Sequence, residues 1–200
     1  MEKSNNSSEA LKEPSEGKNR ARSEKTKKLA LGALLIAICI ISQFFKNMSV
    51  YITGPIINAC LIIAVLTAGY AVSVIIAVVT PITSFIITGS PIMAAIPLII
   101  PGVMLGNVIL VTVVYLLKDK IKKPAGLSLS ILLGGVLKAL FMGIVISLII
   151  IPLLLPEKML PKMSVFQMTF SVTQLITALI GGVLAYVIYL PLKKAFSESL

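Results

Sequence analysis

An all-α membrane protein of six transmembrane helices is the fold class this sequence predicts, and three observations predict it. The 200 residues are 57% hydrophobic and only 13% charged, and the mean hydropathy of +1.01 lies outside the range of soluble domains. Between Lys46 and Lys118 there is no Asp, Glu, Lys or Arg, a tract several times longer than the roughly 20 residues one crossing requires. Turn and charge signals cut the apolar sequence into pieces of crossing length, and the period-two alternation of a barrel is absent.

Taken in order, a polar segment (residues 1–28) precedes a first apolar run at about 29–46, which ends at Lys46. Pro55 opens a second run, about 55–68, closed by Ala68-Gly69-Tyr70, and a third covers about 71–88. Gly89-Ser90-Pro91 is a turn signal before the fourth, about 92–118, in which Pro97 and Pro101, then Gly102 and Gly106, stand four apart. That spacing predicts a bent helix that a neighbour approaches closely. The basic knot Lys118 to Pro124 leads to a fifth span, about 125–151, and the polar break Pro156 to Lys162 to a sixth, about 165–190.

Positive charge sets the expected orientation. Six spans return the chain to its starting side, which then holds the N-terminal basic residues, the central knot and Lys193-Lys194; the opposite side holds only Lys46, Lys158 and Lys162. Both termini are therefore expected in the cytoplasm, and an odd number of spans would spoil the bias. Residues 1–28, rich in Ser, Asn, Glu, Lys and Gly, are expected to form a disordered basic tail. The charged region is too long for a signal peptide, and no small-x-small site follows Phe45, so the first helix is expected to stay uncleaved. The net charge of +10 reads as topology and contact with anionic lipid, with no nucleic-acid motif beside it.

Cys39 and Cys60 lie inside expected spans, where a thiol behaves as a small apolar group, and no disulfide or metal site is assigned. The chain has no His and no Trp, and no Asp or Glu falls inside an expected span. General acid–base pairs, metal clusters and carboxylate proton relays are thereby missing, as is a phosphate-binding loop with its lysine. The sequence argues against an enzyme, implies no cofactor, and leaves any energy source to a partner.

Polar residues inside the spans carry the remaining information. At a rise of about 1.5 Å per residue, Lys138 falls near the middle of the fifth span and Asn107 near the middle of the fourth. Gln43, Asn58, Gln167, Ser171 and Gln174 lie between the midplane and the outer surface. On the sixth helix Gln167, Ser171, Gln174, Ala178 and Gly181 form one polar-to-small stripe that should face neighbouring helices. A charge at the bilayer centre costs roughly 2.5 to 3.5 kcal/mol on insertion scales, so a lysine without an acidic partner must face the bundle or a watery cavity, or lose its proton, and a structural lysine bonded to backbone carbonyls stands beside the ligand role. To snorkel it would have to reach about 15 Å, half the hydrocarbon thickness. An outward-opening pocket with Lys138 at its floor, and Asn107 and Gln174 at the same level, suggests a solute with a carboxylate or other electron-rich group.

"LGGVLKALFMG" in the fifth span and "FSVTQLITALIGGVLAYVI" in the sixth, within six helices over about 200 residues, resemble the substrate-binding S components of energy-coupling-factor (ECF) transporters, bacterial plasma-membrane importers of vitamins and related micronutrients. The resemblance covers nearly everything after the tail. It implies a subunit that captures a vitamin-like ligand outside, docks on a T component with two cytoplasmic ATPases, and delivers its cargo by tipping over in the membrane. Family members dock through a small-x-x-x-small motif on the first helix. "ALLIA", Ala33 to Ala37, matches that spacing, with Ala30 one turn below. The resemblance also implies a cover over the ligand from the loop between helices 1 and 2, here Lys46 to Gly54 with Asn47, Tyr51 and Thr53; Tyr51 is equally an interfacial belt residue. The lack of Trp departs from a thiamin binder of this family. Two other classes stay open at this point: the six-helix scaffolds of cell-wall synthesis, and a small self-contained secondary carrier, against which the absence of a clear repeat between halves counts.

Overall fold

The computed structural model describes residues 13–45, 49–120 and 126–198, with side chains described for 22–45, 49–120 and 126–194. Among them are six helical stretches long and apolar enough to cross a membrane, at Arg22–Gln43, Val50–Thr67, Tyr70–Thr88, Ile99–Leu117, Gly126–Leu154 and Glu157–Lys194. The expected all-α architecture of six spans is what the chain adopts.

Helix α1 runs over Glu13–Gln43. Residues 13–28 are thus helical, a difference from the disordered tail expected for 1–28; residues 1–12 lie outside the described residues. Helix α2 covers Val50–Thr67 and starts five residues before Pro55, because Ser49 caps it by accepting a bond from the Tyr51 amide at 3.2 Å. Helix α3, Tyr70–Thr88, is bracketed by Gly69 (φ 97°) and Gly89 (φ 56°), left-handed conformations that favour glycine and let the chain reverse within a residue or two.

The remaining spans are interrupted. The expected fourth helix is divided into α4, Pro91–Ala95, and α5, Ile99–Leu117, with Pro97 in the break between them. In the fifth, α6, Gly126–Met142, passes into a π-helical stretch, Gly143–Ile150, and then the short α7, Ile151–Leu154. The expected loop Pro156 to Lys162 contains a 3₁₀ turn, Glu157–Lys162; α8, Met163–Phe170, follows and is separated from α9, Val172–Glu198, by a non-helical Ser171.

Short connections make successive spans antiparallel, which divides the bundle into a half nearer the chain ends (the tail half) and an opposite half (the cavity half). The tail half is filled by a cluster that includes Leu35, Cys39, Leu61, Ile62, Ile76, Val111 and Val114. A second cluster, including Ile92, Ile96, Ile99, Met142, Ile146 and Phe170, fills part of the other half. Glycines set the closest approaches. A Cβ on Gly181 would lie 2.6 Å from the Pro55 carbonyl oxygen, and one on Gly106 would lie 2.8 Å from Met142 Cγ. These contacts hold α9 against α2 and α5 against α6, the close approach expected from the small residues.

Candidate functional site

Between the two clusters, at the level of Lys138, the helices leave a cavity of about 310 Å³. Lys138 is 3% exposed and stands at its floor. Its ammonium donates to Asn58 Oδ1 at 2.6 Å from α2 and to Asn107 Oδ1 at 2.8 Å from α5. The lysine therefore neither snorkels nor binds main-chain oxygens; amide side chains from two other spans solvate it.

Asn107 is held by a specific backbone feature. Pro81 in α3 has no N–H to give to the Ala77 carbonyl four residues back, and Asn107 Nδ2 donates to that carbonyl at 3.3 Å. One amide thus completes an interrupted helix and orients the lysine. An ammonium only donates, so both asparagine oxygens must face it. Asn58 Nδ2, the other end of the same amide, has no partner among the described residues.

Other walls of the cavity come from Thr53 of α2, Thr80, Ser84 and Thr88 of α3, Ile92 and Met93 of α4, and Phe166 and Phe170 of α8. Gln174 also lines it, with Nε2 donating to the Thr169 carbonyl at 3.3 Å. Lys138, Asn107 and Gln174, expected together from their depth, are brought together here, and Asn58 of the wider outer-half set joins them.

Gln43, Gln167, Ser171 and Tyr51 are not. Gln43 is fully buried and donates through Nε2 to the Thr80 carbonyl at 3.0 Å, behind the cavity wall. Gln167 serves a second proline. In the π-helical stretch the Ile151 amide bonds the Ile146 carbonyl, so the next partner in that pattern, for Ser147, is Pro152, which has no N–H. Gln167 Nε2 donates to the Ser147 carbonyl instead, at 2.9 Å, and Ser147 Oγ returns a bond to the Gln167 carbonyl at 2.8 Å. Gln167 and Ser171 line a separate groove on the flank of the bundle. The stripe expected along the sixth helix is interrupted at Ser171 but faces neighbouring helices on both sides of the break: Gln167 and Ser171 meet the fifth span at Ser147 and Gly143, and Ala178 and Gly181 pack on α6 and α2. Tyr51 is 51% exposed and points away from the cavity that its neighbours Val50, Thr53 and Gly54 line. Asn47 lies outside the described residues, and Val50 to Gly54, expected as a covering loop, is helical.

The α3 hydroxyls went unnoticed in the sequence although Thr80, Ser84 and Thr88 stand four apart, a helical stripe readable in advance. Phe166 and Phe170 carried no such signal, since an apolar helix offers many aromatic positions. On α1, Ala30, Ala33 and Ala37 are all exposed on the bundle surface, and together with Leu34, Ile38 and Ile41 they form a face that no other span covers.

With this geometry in view, the chain compares with known proteins as follows. No curated protein and no solved structure matches it. The family model for the substrate-specific component of ECF transporters matches residues 27–193.

Proposed function

The chain belongs to the family of substrate-specific components of ECF transporters, a multi-pass membrane subunit of a transporter rather than an enzyme, and from that premise we propose its task. It captures a small vitamin-like solute from outside a bacterial cell in the cavity above Lys138, then docks on a T component with two cytoplasmic ATPases that drive release inward. The observation that carries this reading is the cavity itself. A cation costly to bury is held at its floor by amide side chains and keeps one face open to the void.

The orientation follows from charge. The lysines and arginines collect at the tail half, which supports a cytoplasmic side for that half and a cavity that opens outward. Docking falls to the exposed face of α1, where Ala30, Ala33 and Ala37 let a partner helix approach closely.

The two parts are tested separately. Lys138→Met is expected to weaken solute binding by the purified protein about 100-fold, the scale of a lost charge-assisted contact of roughly 3 kcal/mol; unchanged affinity removes the lysine from the site. Ala33→Trp and Ala37→Trp are expected to abolish uptake in cells while solute binding stays intact, and normal transport by both variants rules that face out.

A further inference from the structure

The distribution of donors and acceptors around the cavity says what kind of solute it fits, granted the reading of the cavity as the solute site. The charged and amide donors are at the floor; among the wall hydroxyls, Ser90 keeps a proton that no described residue takes. Of the three N–H groups of the Lys138 ammonium, two are used by Asn58 and Asn107. The third has no partner among the described residues, and neither does Asn58 Nδ2 beside it.

The side walls have the opposite character. Thr53 Oγ1 donates its proton to the Ser49 carbonyl at 3.4 Å, Thr80 Oγ1 to Ile76 at 2.8 Å and Thr88 Oγ1 to Ser84 at 2.7 Å. A hydroxyl has one proton, so each of these oxygens offers the cavity lone pairs alone. Between them, Ile92, Met93, Val103, Phe166 and Phe170 supply apolar surface.

Charge narrows the fit further. Among the described residues, Lys138 is the one ionisable residue lining the cavity. A second negative charge on the solute would meet no second cation, and a positive one would meet Lys138 with no carboxylate to offset it.

We propose that the cavity takes a small monoanionic solute whose single carboxylate lies on Lys138 Nζ and Asn58 Nδ2, and whose body carries hydroxyl or N–H donors that reach the Thr53, Thr80 and Thr88 oxygens. The same arrangement disfavours phosphorylated and cationic micronutrients.

The probe is low-molecular-mass yeast extract, split by charge on ion exchangers at neutral pH and assayed for its shift of the unfolding midpoint of the purified, detergent-solubilised protein. The stabilising fraction is expected to be retained by the anion exchanger and to survive phosphatase. Its effect should vanish once carboxylates are converted to amides with carbodiimide and methylamine. Asn58→Asp supplies the second arm: the new carboxylate keeps the bond to Lys138, so the protein still folds, but it cancels the charge the solute needs. That variant is expected to require at least tenfold more of the same fraction for the same shift. A stabilising fraction that is cationic, that survives amidation or that phosphatase destroys overturns the proposal, as does an undiminished response of Asn58→Asp. A protein that no fraction stabilises overturns the solute-site reading itself, and this inference falls with it.

Discussion

The tail half of the bundle is built from continuous helices, whereas the cavity half is built largely from broken ones. In the tail half most backbone carbonyls have their own helix for a partner, the Val187 carbonyl opposite Pro191 in α9 being an exception near the helix end, and side chains such as Leu61, Ile62, Val111 and Val114 have mainly to pack. In the cavity half Pro81 and Pro152 each leave a carbonyl without its donor, and Asn107 and Gln167 from other spans supply one. The difference teaches that polar side chains within this membrane domain have two distinct tasks. Some repair the backbone, and what they repair is the irregularity that makes room for a cavity.

The comparison can be broken most severely where the halves meet. Gly181→Val would drive its side chain into the Pro55 carbonyl at 2.6 Å and the Asn58 Cβ at 2.7 Å. Backbone cannot yield as a flexible side chain does, so a loss of about 3 kcal/mol or more is expected, read as the collapse of the monodisperse peak in size-exclusion chromatography. The next test opposes one residue from each half. Leu61→Ala in the tail half should lower stability by about 2–4 kcal/mol, measured by SDS titration in mixed micelles. Phe166→Ala, partly buried on the cavity wall, should change stability by less than about 1 kcal/mol while weakening solute binding about tenfold, the aromatic wall contact being worth roughly 1 kcal/mol. Equal effects of the two on stability would erase the distinction. The smallest effect tests the repair: Gln167→Leu should cost about 1 kcal/mol, the scale of an interhelical hydrogen bond in a membrane, with solute affinity unaltered.

Much of the fold was legible because lipid leaves a chain few choices. Lys46 and the Gly69 and Gly89 breaks bounded the first spans to within a few residues. The start of α2 was missed because Pro55 is a louder signal than a serine cap at Ser49. The helical second half of the basic tail was missed because composition speaks to burial, and a helix continuing from a membrane span does not need burial to propagate. At the site, depth grouped Lys138 with Asn107 and Gln174, and left Asn58 in the wider outer-half set. Depth could not separate them from Gln167, because the outcome depended on which carbonyl a proline on another span had vacated: Asn107 meets Ala77 across 30 positions, and Gln167 meets Ser147 across 20. Such pairings follow from which helices become neighbours, and a single sequence does not state that.

The π-helical stretch between Gly143 and Ile150 holds more residues per turn than the helix leading into it. Shortening an ordinary helix by one residue swings everything beyond through about 100° and turns buried faces to lipid. Here the loss of one residue has somewhere to go, since the wide turn tightens and the downstream segment keeps its bearing. The fifth span therefore ought to tolerate a single-codon deletion within 143–150 that the regular helices of the tail half would not.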